Sequence, residues 1–309
     1  MTFDDYLAAG RKARDEDLAL VEKELAKMYR EAYTTAAREL EVFLAKGFSA
    51  EEVRKYGRLQ GLLDSISTEY KKLTGQALDV TTTASADAYI ESWKRLEWSL
   101  DKSESLNLKW GMPPVEEIRA SVYSDHSGLT VEQIYGKNTI AELSKIQGTL
   151  TRGIILGRGY KRVAQELKDD FAGGYSSALR VIRTENTRLW TEGALSAAQQ
   201  AEDMGIKIKI RWVAALDRRT RESHAMLDGQ YADDDGLFWI GGDSAQGPGL
   251  FSEPENTVNC RCAITQELEG IPATVRRDHS GIIPYRTYNE WAAQYGWTKE
   301  SGWPKVQSV

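Results

Sequence analysis

Gly205-Ile206-Lys207-Ile208-Lys209-Ile210-Arg211-Trp212 is where the periodicity of the chain changes. Apolar and charged side chains alternate strictly along it, so one set lies on each side of an extended backbone, the pattern of a strand with one wet face. N-terminal to this stretch, apolar residues recur at steps of three and four. C-terminal to it, short apolar runs stand between turns rich in Gly, Asp and Pro, among them Gly241-Gly242-Asp243 and Gly247-Pro248-Gly249. The expected class is therefore α+β, with long helices in the N-terminal two thirds and a small antiparallel or mixed β module near the C-terminus.

Working back from Gly205, a helix from about Ser176 to Met204 is expected, preceded by another over Tyr160 to Phe171. Ile134, Ile140, Leu143, Ile146, Leu150 and Ile154 carry an earlier stripe towards Gly157. Thr130-Val131-Glu132-Gln133 reads as its capping box, in which the threonine oxygen and the glutamine amide satisfy free groups at the helix start. Gly111-Met112-Pro113-Pro114 interrupts the pattern, because proline ends a helix and restricts the residue before it.

Nearer the start, Leu18, Val21, Leu25, Met28 and Ala32 form one stripe ending near Gly47, and Ser49-Ala50-Glu51-Glu52 reads as a second capping box. Leu59, Leu62, Ile66, Tyr70 and Leu73 follow, with a stop expected at Gly75. A third segment then carries Tyr89, Trp93, Leu96 and Leu100. Packed antiparallel helices and a long coiled coil both suit such stripes. Their short runs and interrupting glycines favour the bundle.

Beyond Trp212, short strands are expected at Gln230-Tyr231, Leu237-Phe238-Trp239-Ile240 and Ala263-Ile264-Thr265, closing one small sheet. From Gly270 the aromatic residues Tyr285, Tyr288, Trp291, Tyr295, Trp297 and Trp303 are placed to strap the tail across the body. The expected organisation is a helical bundle over 1–112, a module of helices followed by the small sheet over 113–269, and an aromatic-rich tail over 270–309.

Composition narrows the function classes. The 309 residues exceed what one hydrophobic core ordinarily organises, and 41% hydrophobic with 28% charged residues is ordinary for a folded water-soluble chain. No run is long and apolar enough for a bilayer span, and the acidic N-terminus lacks the apolar core of a secretory leader, so no membrane role is expected. Two cysteines, Cys260 and Cys262, cannot build a disulfide framework, which points to synthesis in a reducing cytoplasm. Net charge is −6, so any attraction to nucleic acid must be local. Arg152, Arg158, Lys161 and Arg162 are the candidate DNA-facing residues, within a wider basic set that includes Lys168, Arg180, Arg183 and Arg188 and is interspersed with Glu166, Asp169, Asp170 and Glu185.

The densest set of reactive side chains lies between Ala215 and Cys262. His224, Asp228, Cys260 and Cys262 form the one set of donors that suits zinc, although a Cys-x-Cys pair departs from the usual spacing of zinc ligands. The ground state of expectation is no metal and no cofactor, with buried thiols and a hydrogen-bonded histidine. A Cys-His nucleophile oriented by Asp217 or Asp228 is the enzymatic alternative, giving a metal- or cysteine-dependent hydrolase. Gly157-Arg158-Gly159 lacks the phosphate-binding pattern. Arg183-Thr184-Glu185 reads as a salt bridge orienting a helix, in preference to a transferase core formed with Glu267-Leu268-Glu269.

The order of these pieces carries a resemblance. Arg183-Thr184-Glu185, the alternating strand, Asp217-Arg218-Arg219-Thr220, His224, Asp228-Gly229 and Asn259-Cys260-Arg261-Cys262 together resemble the phage Mu F-like minor head protein family, over roughly Gly128 to Leu268. Many members carry a Cys-x-x-Cys after the Arg-Thr and a histidine ahead of the terminal Cys-Arg-Cys; here those places hold Arg221, His224 and Val258. The resemblance implies a non-enzymatic minor capsid protein of a tailed phage or prophage, made in the bacterial host cytoplasm and residing in the head interior or at the portal vertex. Implied partners are the portal, the major capsid or scaffolding protein, and DNA only weakly and non-specifically. Some relatives carry appended toxin domains, for which the residues after Cys262 are too few. Within the module, Asp217 and Arg219 are expected to fix the turn after the strand. His224 and Asp228 are expected to hydrogen-bond across that turn, and Arg261 to make a forked contact with an acid.

Overall fold

The computed structural model describes residues 2–47, 57–104, 108, 110–125, 128–278 and 280–294. Its elements run α1 (Phe3–Ala45), α2 (Arg58–Glu104), α3 (Val115–Val122), α4 (Val131–Ile155), α5 (Tyr160–Asp203), β1 (Ile208–Val213), α6 (Glu222–Leu227), β2 (Phe238–Ile240), β3 (Asp243–Ala245), α7 (Pro254–Thr257), β4 (Ala263–Leu268), β5 (Val275–Asp278), β6 (Gly281–Pro284) and α8 (Tyr288–Ala293). Long helices fill the first two thirds and short antiparallel strand pairs the rest, the α+β class read from the sequence. The Thr130 capping box is formed with Gln133, and Gly205, at φ +86°, stands just past the end of α5. The Ser49–Glu52 box and the aromatic residues Tyr295, Trp297 and Trp303 lie outside the described residues.

Two expected helix ends are absent. Gly75 lies inside α2, where a side chain would meet open space, so it costs the helix only about 1 kcal/mol, which tertiary packing can outweigh. The gap expected between Phe171 and Ser176 is helical too, because Gly173 and Gly174 continue α5. Gly174 is a notch: a Cβ there would come 2.2 Å from the Tyr70 hydroxyl.

By packing the chain divides into two compact units, one of 1–18, 83–128 and 182–309, the other of 19–82 and 129–181. The second unit buries Leu25, Leu40, Ile66, Leu73, Ile146 and Leu150. Tyr70 meets Phe171 and Tyr29 edge-on, with ring centroids 5.3 and 6.4 Å apart, a preferred aromatic geometry.

The first unit is organised around the antiparallel pair β1–β4, in register from Ile208 opposite Leu268 to Val213 opposite Ala263. Against it pack Phe3, Leu7, Trp93, Leu96 and Leu100, with the small Ala197, Ala198 and Ala201 of α5 allowing close approach. Among the described residues, the single expected sheet is instead three two-stranded ladders, β1–β4, β2–β3 and β5–β6. Gln230-Tyr231 contributes only an isolated bridge from Tyr231 to Arg211. Gly241-Gly242, read as a plain turn, is the loop of the β2–β3 hairpin, and Gly241 takes the positive φ such a loop requires. Tyr288 and Trp291, from the tail, are buried in the core formed by Trp212, Phe238 and Phe251.

Candidate functional site

The site is assembled on one face of α5. Thr184, Thr187, Arg188 and Thr191 follow the three-and-four spacing that brings side chains onto one side of a helix. The Asn259 amide donates to Thr184 Oγ1 at 3.0 Å, Thr187 Oγ1 donates to the Cys260 carbonyl at 2.7 Å, and Thr191 Oγ1 donates to the Pro248 carbonyl at 2.8 Å. The three threonines thereby hold the polypeptide on either side of α7. Asn259 sits at φ 59°, a left-handed conformation that asparagine tolerates better than most residues. At Gly249, φ +84°, a Cβ would stand 2.9 Å from the Arg188 backbone, so only glycine permits this approach.

The anchored segment delivers Cys260 and Cys262 to His224 on α6. His224 Nδ1 is 3.4 Å from Cys260 Sγ and 3.6 Å from Cys262 Sγ, and all three side chains are buried. Trp212 lies edge-on to the imidazole at 5.5 Å, and Phe251 is tilted to it at 6.4 Å. The Cys262 thiol, directed at its neighbour's sulfur, and His224 hold Cys260 well below the ordinary thiol range, against the opposing effect of burial. The same bond, with burial, pushes Cys262 well up.

Asp228 does not join this cluster, and the expected hydrogen bond between His224 and Asp228 is not formed. The Asp228 carboxylate accepts from Arg276 through both oxygens, at 2.7 and 3.0 Å, and also from the Ala214 and Tyr288 amides. A carboxylate so engaged cannot supply the fourth zinc ligand. The other three donors do fit zinc in kind: two sulfurs and an imidazole nitrogen, with all ligand atoms within 4.8 Å of one another. Gly229, at φ +82°, follows the pair and donates to the Trp212 carbonyl at 3.0 Å.

Asp217 organises the turn after β1. Its Oδ1 accepts from the Arg219 amide at 2.7 Å and from Arg261 Nη2 at 2.7 Å. The Arg219 side chain is exposed, and its part in the turn is made by the backbone. Arg261 makes one contact to Asp217, and both side chains are about a third exposed. The buried forked arginine is Arg276, in the segment expected to be an aromatic tail. Alternation around Arg261 drove the difference: with Cys260 and Cys262 facing inward, the residue between them faces out.

Glu185, the acid of the Arg183-Thr184-Glu185 stretch, pairs with Arg188 at 2.7 Å. Arg188 also donates to the Ser121 carbonyl, Ser124 Oγ and Glu192, tying α3 to α5, so it cannot face DNA. Arg183 is half-buried on α5. Glu267 accepts from Tyr231 at 2.7 Å and lies 3.1 Å from Arg211 Nε, and Glu269 pairs with the exposed Lys207. Of the candidate DNA-facing residues, Arg152, Lys161 and Arg162 are exposed, while Arg158 donates to both oxygens of Glu166. Arg188, Arg211 and Arg276 were not singled out for these roles. Only the habit of pairing buried arginines with acids could have flagged them, and it does not name the partner.

Residues 144–265 match the family model described as Phage Mu protein F like protein. The minor head protein GP7 of Bacillus phage SPP1 is 26% identical over 301 residues, 94% of this chain and 94% of that protein. An NAD(+)--arginine ADP-ribosyltransferase, EFV, of Enterococcus faecalis is 25% identical over 276 residues, 88% of this chain but 57% of that longer protein. No solved structure gives a significant match. The stretch that matches the family model, 144 to 265, contains the α5 anchor, the β1 strand and the His224–Cys260–Cys262 cluster.

Proposed function

We propose that the protein is a minor head protein acting in head morphogenesis of a tailed phage or prophage, a structural component without catalytic activity. The similarity to minor head protein GP7 along 94% of both chains carries this reading, because it extends well beyond the 144–265 segment. By the same reading it resides in the virion head, in its interior or at the portal vertex, and contacts portal, major capsid or scaffolding protein. Arg152, Lys161 and Arg162 offer DNA a weak, non-specific and salt-sensitive contact.

The transferase similarity fits the same reading. It involves 57% of EFV, whereas GP7 is spanned almost throughout, so the part common to all three chains is of head-protein size. Of the two acids in the transferase reading, Glu267 is buried and bound by Tyr231, and Glu269 is paired with Lys207. The chemistry of the site supports a structural role as well. A cysteine hydrolase must expose its sulfur and orient its base, but Cys260 is 2% and His224 1% exposed, and Nε2 of His224 has no hydrogen-bond partner among the described residues.

Mass spectrometry of purified heads, with and without packaged DNA, tests the assignment. The expected result is the chain at low copy number in both preparations. Its absence from heads assembled while it is expressed would overturn the assignment, as would turnover of NAD+ by purified protein that is lost on replacing Glu267 or Glu269.

A further inference from the structure

We propose that His224, Cys260 and Cys262 bind one zinc ion, which clamps α6 to the segment leading into β4. The inference concerns the internal architecture of the segment and does not depend on the head-protein assignment. Zinc takes sulfur at about 2.3 Å and imidazole nitrogen at about 2.0–2.1 Å in tetrahedral sites, which sets ligand nitrogen and sulfur roughly 3.5 Å apart. The observed separations of 3.4 and 3.6 Å from Nδ1 to the two sulfurs match that edge, and all three donor atoms lie within 4.8 Å of one another.

A hydrogen bond alone accounts less well for the arrangement. Nδ1 has one proton or one lone pair, and two sulfurs face it at nearly equal range. Spacing permits the clamp: in extended chain, residues two apart share a face, so Cys-x-Cys presents both sulfurs to the same imidazole while Arg261 turns away to Asp217. Charge permits it too. Two thiolates and a neutral imidazole balance a divalent cation, leaving a neutral site that can lie among Trp212, Phe238 and Phe251 without the cost of an uncompensated buried charge. Asp228, bound by Arg276, is excluded from the ligand set, and the fourth tetrahedral position falls to a group other than its carboxylate.

The full chain, expressed in zinc-supplemented medium and purified without chelator, tests this by elemental analysis. About one zinc per chain is expected. Removal by a strong chelator should lower the melting temperature, and equimolar Zn2+ should restore it. The stripped wild-type chain titrated with Co2+ should develop thiolate-to-cobalt charge-transfer absorption that saturates at one equivalent. Cys260→Ser, Cys262→Ser and His224→Ala should each weaken cobalt binding by at least about tenfold, since even outer-shell losses cost 10–100-fold. The cobalt titration uses the wild-type chain, so it decides the matter if the variants fail to fold. A folded wild-type chain without zinc, without a cobalt charge-transfer band and with a melting temperature indifferent to added Zn2+ overturns the proposal.

Discussion

Arg276 grips Asp228 with both arms of its guanidinium, Nη1 to Oδ2 at 2.7 Å and Nη2 to Oδ1 at 3.0 Å, in a setting where the two side chains are 0% and 1% exposed. The same guanidinium donates to the Ala214 and Arg286 carbonyls, so the pair joins the end of β1, the turn after α6 and the approach to α8. Removing one partner leaves a buried charge unmatched. Asp228→Asn and Arg276→Met should each destabilise the first unit by about 3–5 kcal/mol, whereas the double replacement should cost less than the sum. Urea unfolding followed by tryptophan fluorescence measures this, and single-variant losses under 1 kcal/mol would refute the buried-pair argument.

Arg261 should behave differently. Its single contact with Asp217 is partly exposed, so solvent screening reduces what the contact contributes. Arg261→Ala is expected to cost about 0–1 kcal/mol, and the loss should shrink further in high salt. A loss comparable to that of Arg276→Met would contradict the ranking of these two arginines.

The notch at Gly174 gives a third expectation, confined to the second unit. Gly174→Ala forces a methyl group to within 2.2 Å of the Tyr70 hydroxyl and should destabilise by about 1–3 kcal/mol. Tyr70→Phe removes the atom that clashes. The double variant should therefore be more stable than the two single losses predict, a coupling that thermal unfolding of all four proteins resolves.

Acid should release the N-terminus of α1 from β5. Burial opposes ionisation of Asp4, but bonds from Thr2, from the Thr274 amide and hydroxyl, and from the Val275 amide outweigh it and hold its carboxyl below the usual range. A depressed folded-state value contributes stability that is fully present above the unfolded value of about 3.9 and is lost as pH falls through the folded one. Asp4→Asn should thus be less stable than the parent at neutral pH, with the gap closing below about pH 4. A gap that stays constant from pH 7 to pH 3 would show that the carboxylate's charge is irrelevant.

By itself the sequence determined the class and the passage from long helices to short strands, because those follow from local periodicity and local caps. The alternation from Ile206 to Trp212 needs only a backbone of period two to explain it, and the Thr130–Gln133 box closes within one helical turn. Tertiary structure decided what depends on distant partners. Gly75 looks like a helix end, and the stretch from Phe171 to Ser176 like a break, until packing places open space beside Gly75 and Tyr70 against Gly174. Asp228 could have bonded His224 by sequence distance, yet Arg276, 48 residues away, provides a charged fork and takes both oxygens. The Cys-x-Cys pair became a site only when Thr184 and Thr187 of α5 fixed the backbone that aims both sulfurs at one imidazole nitrogen. Side-chain chemistry is written in the chain, but which groups meet is settled by burial, where a charge or donor must find a partner wherever the fold supplies one.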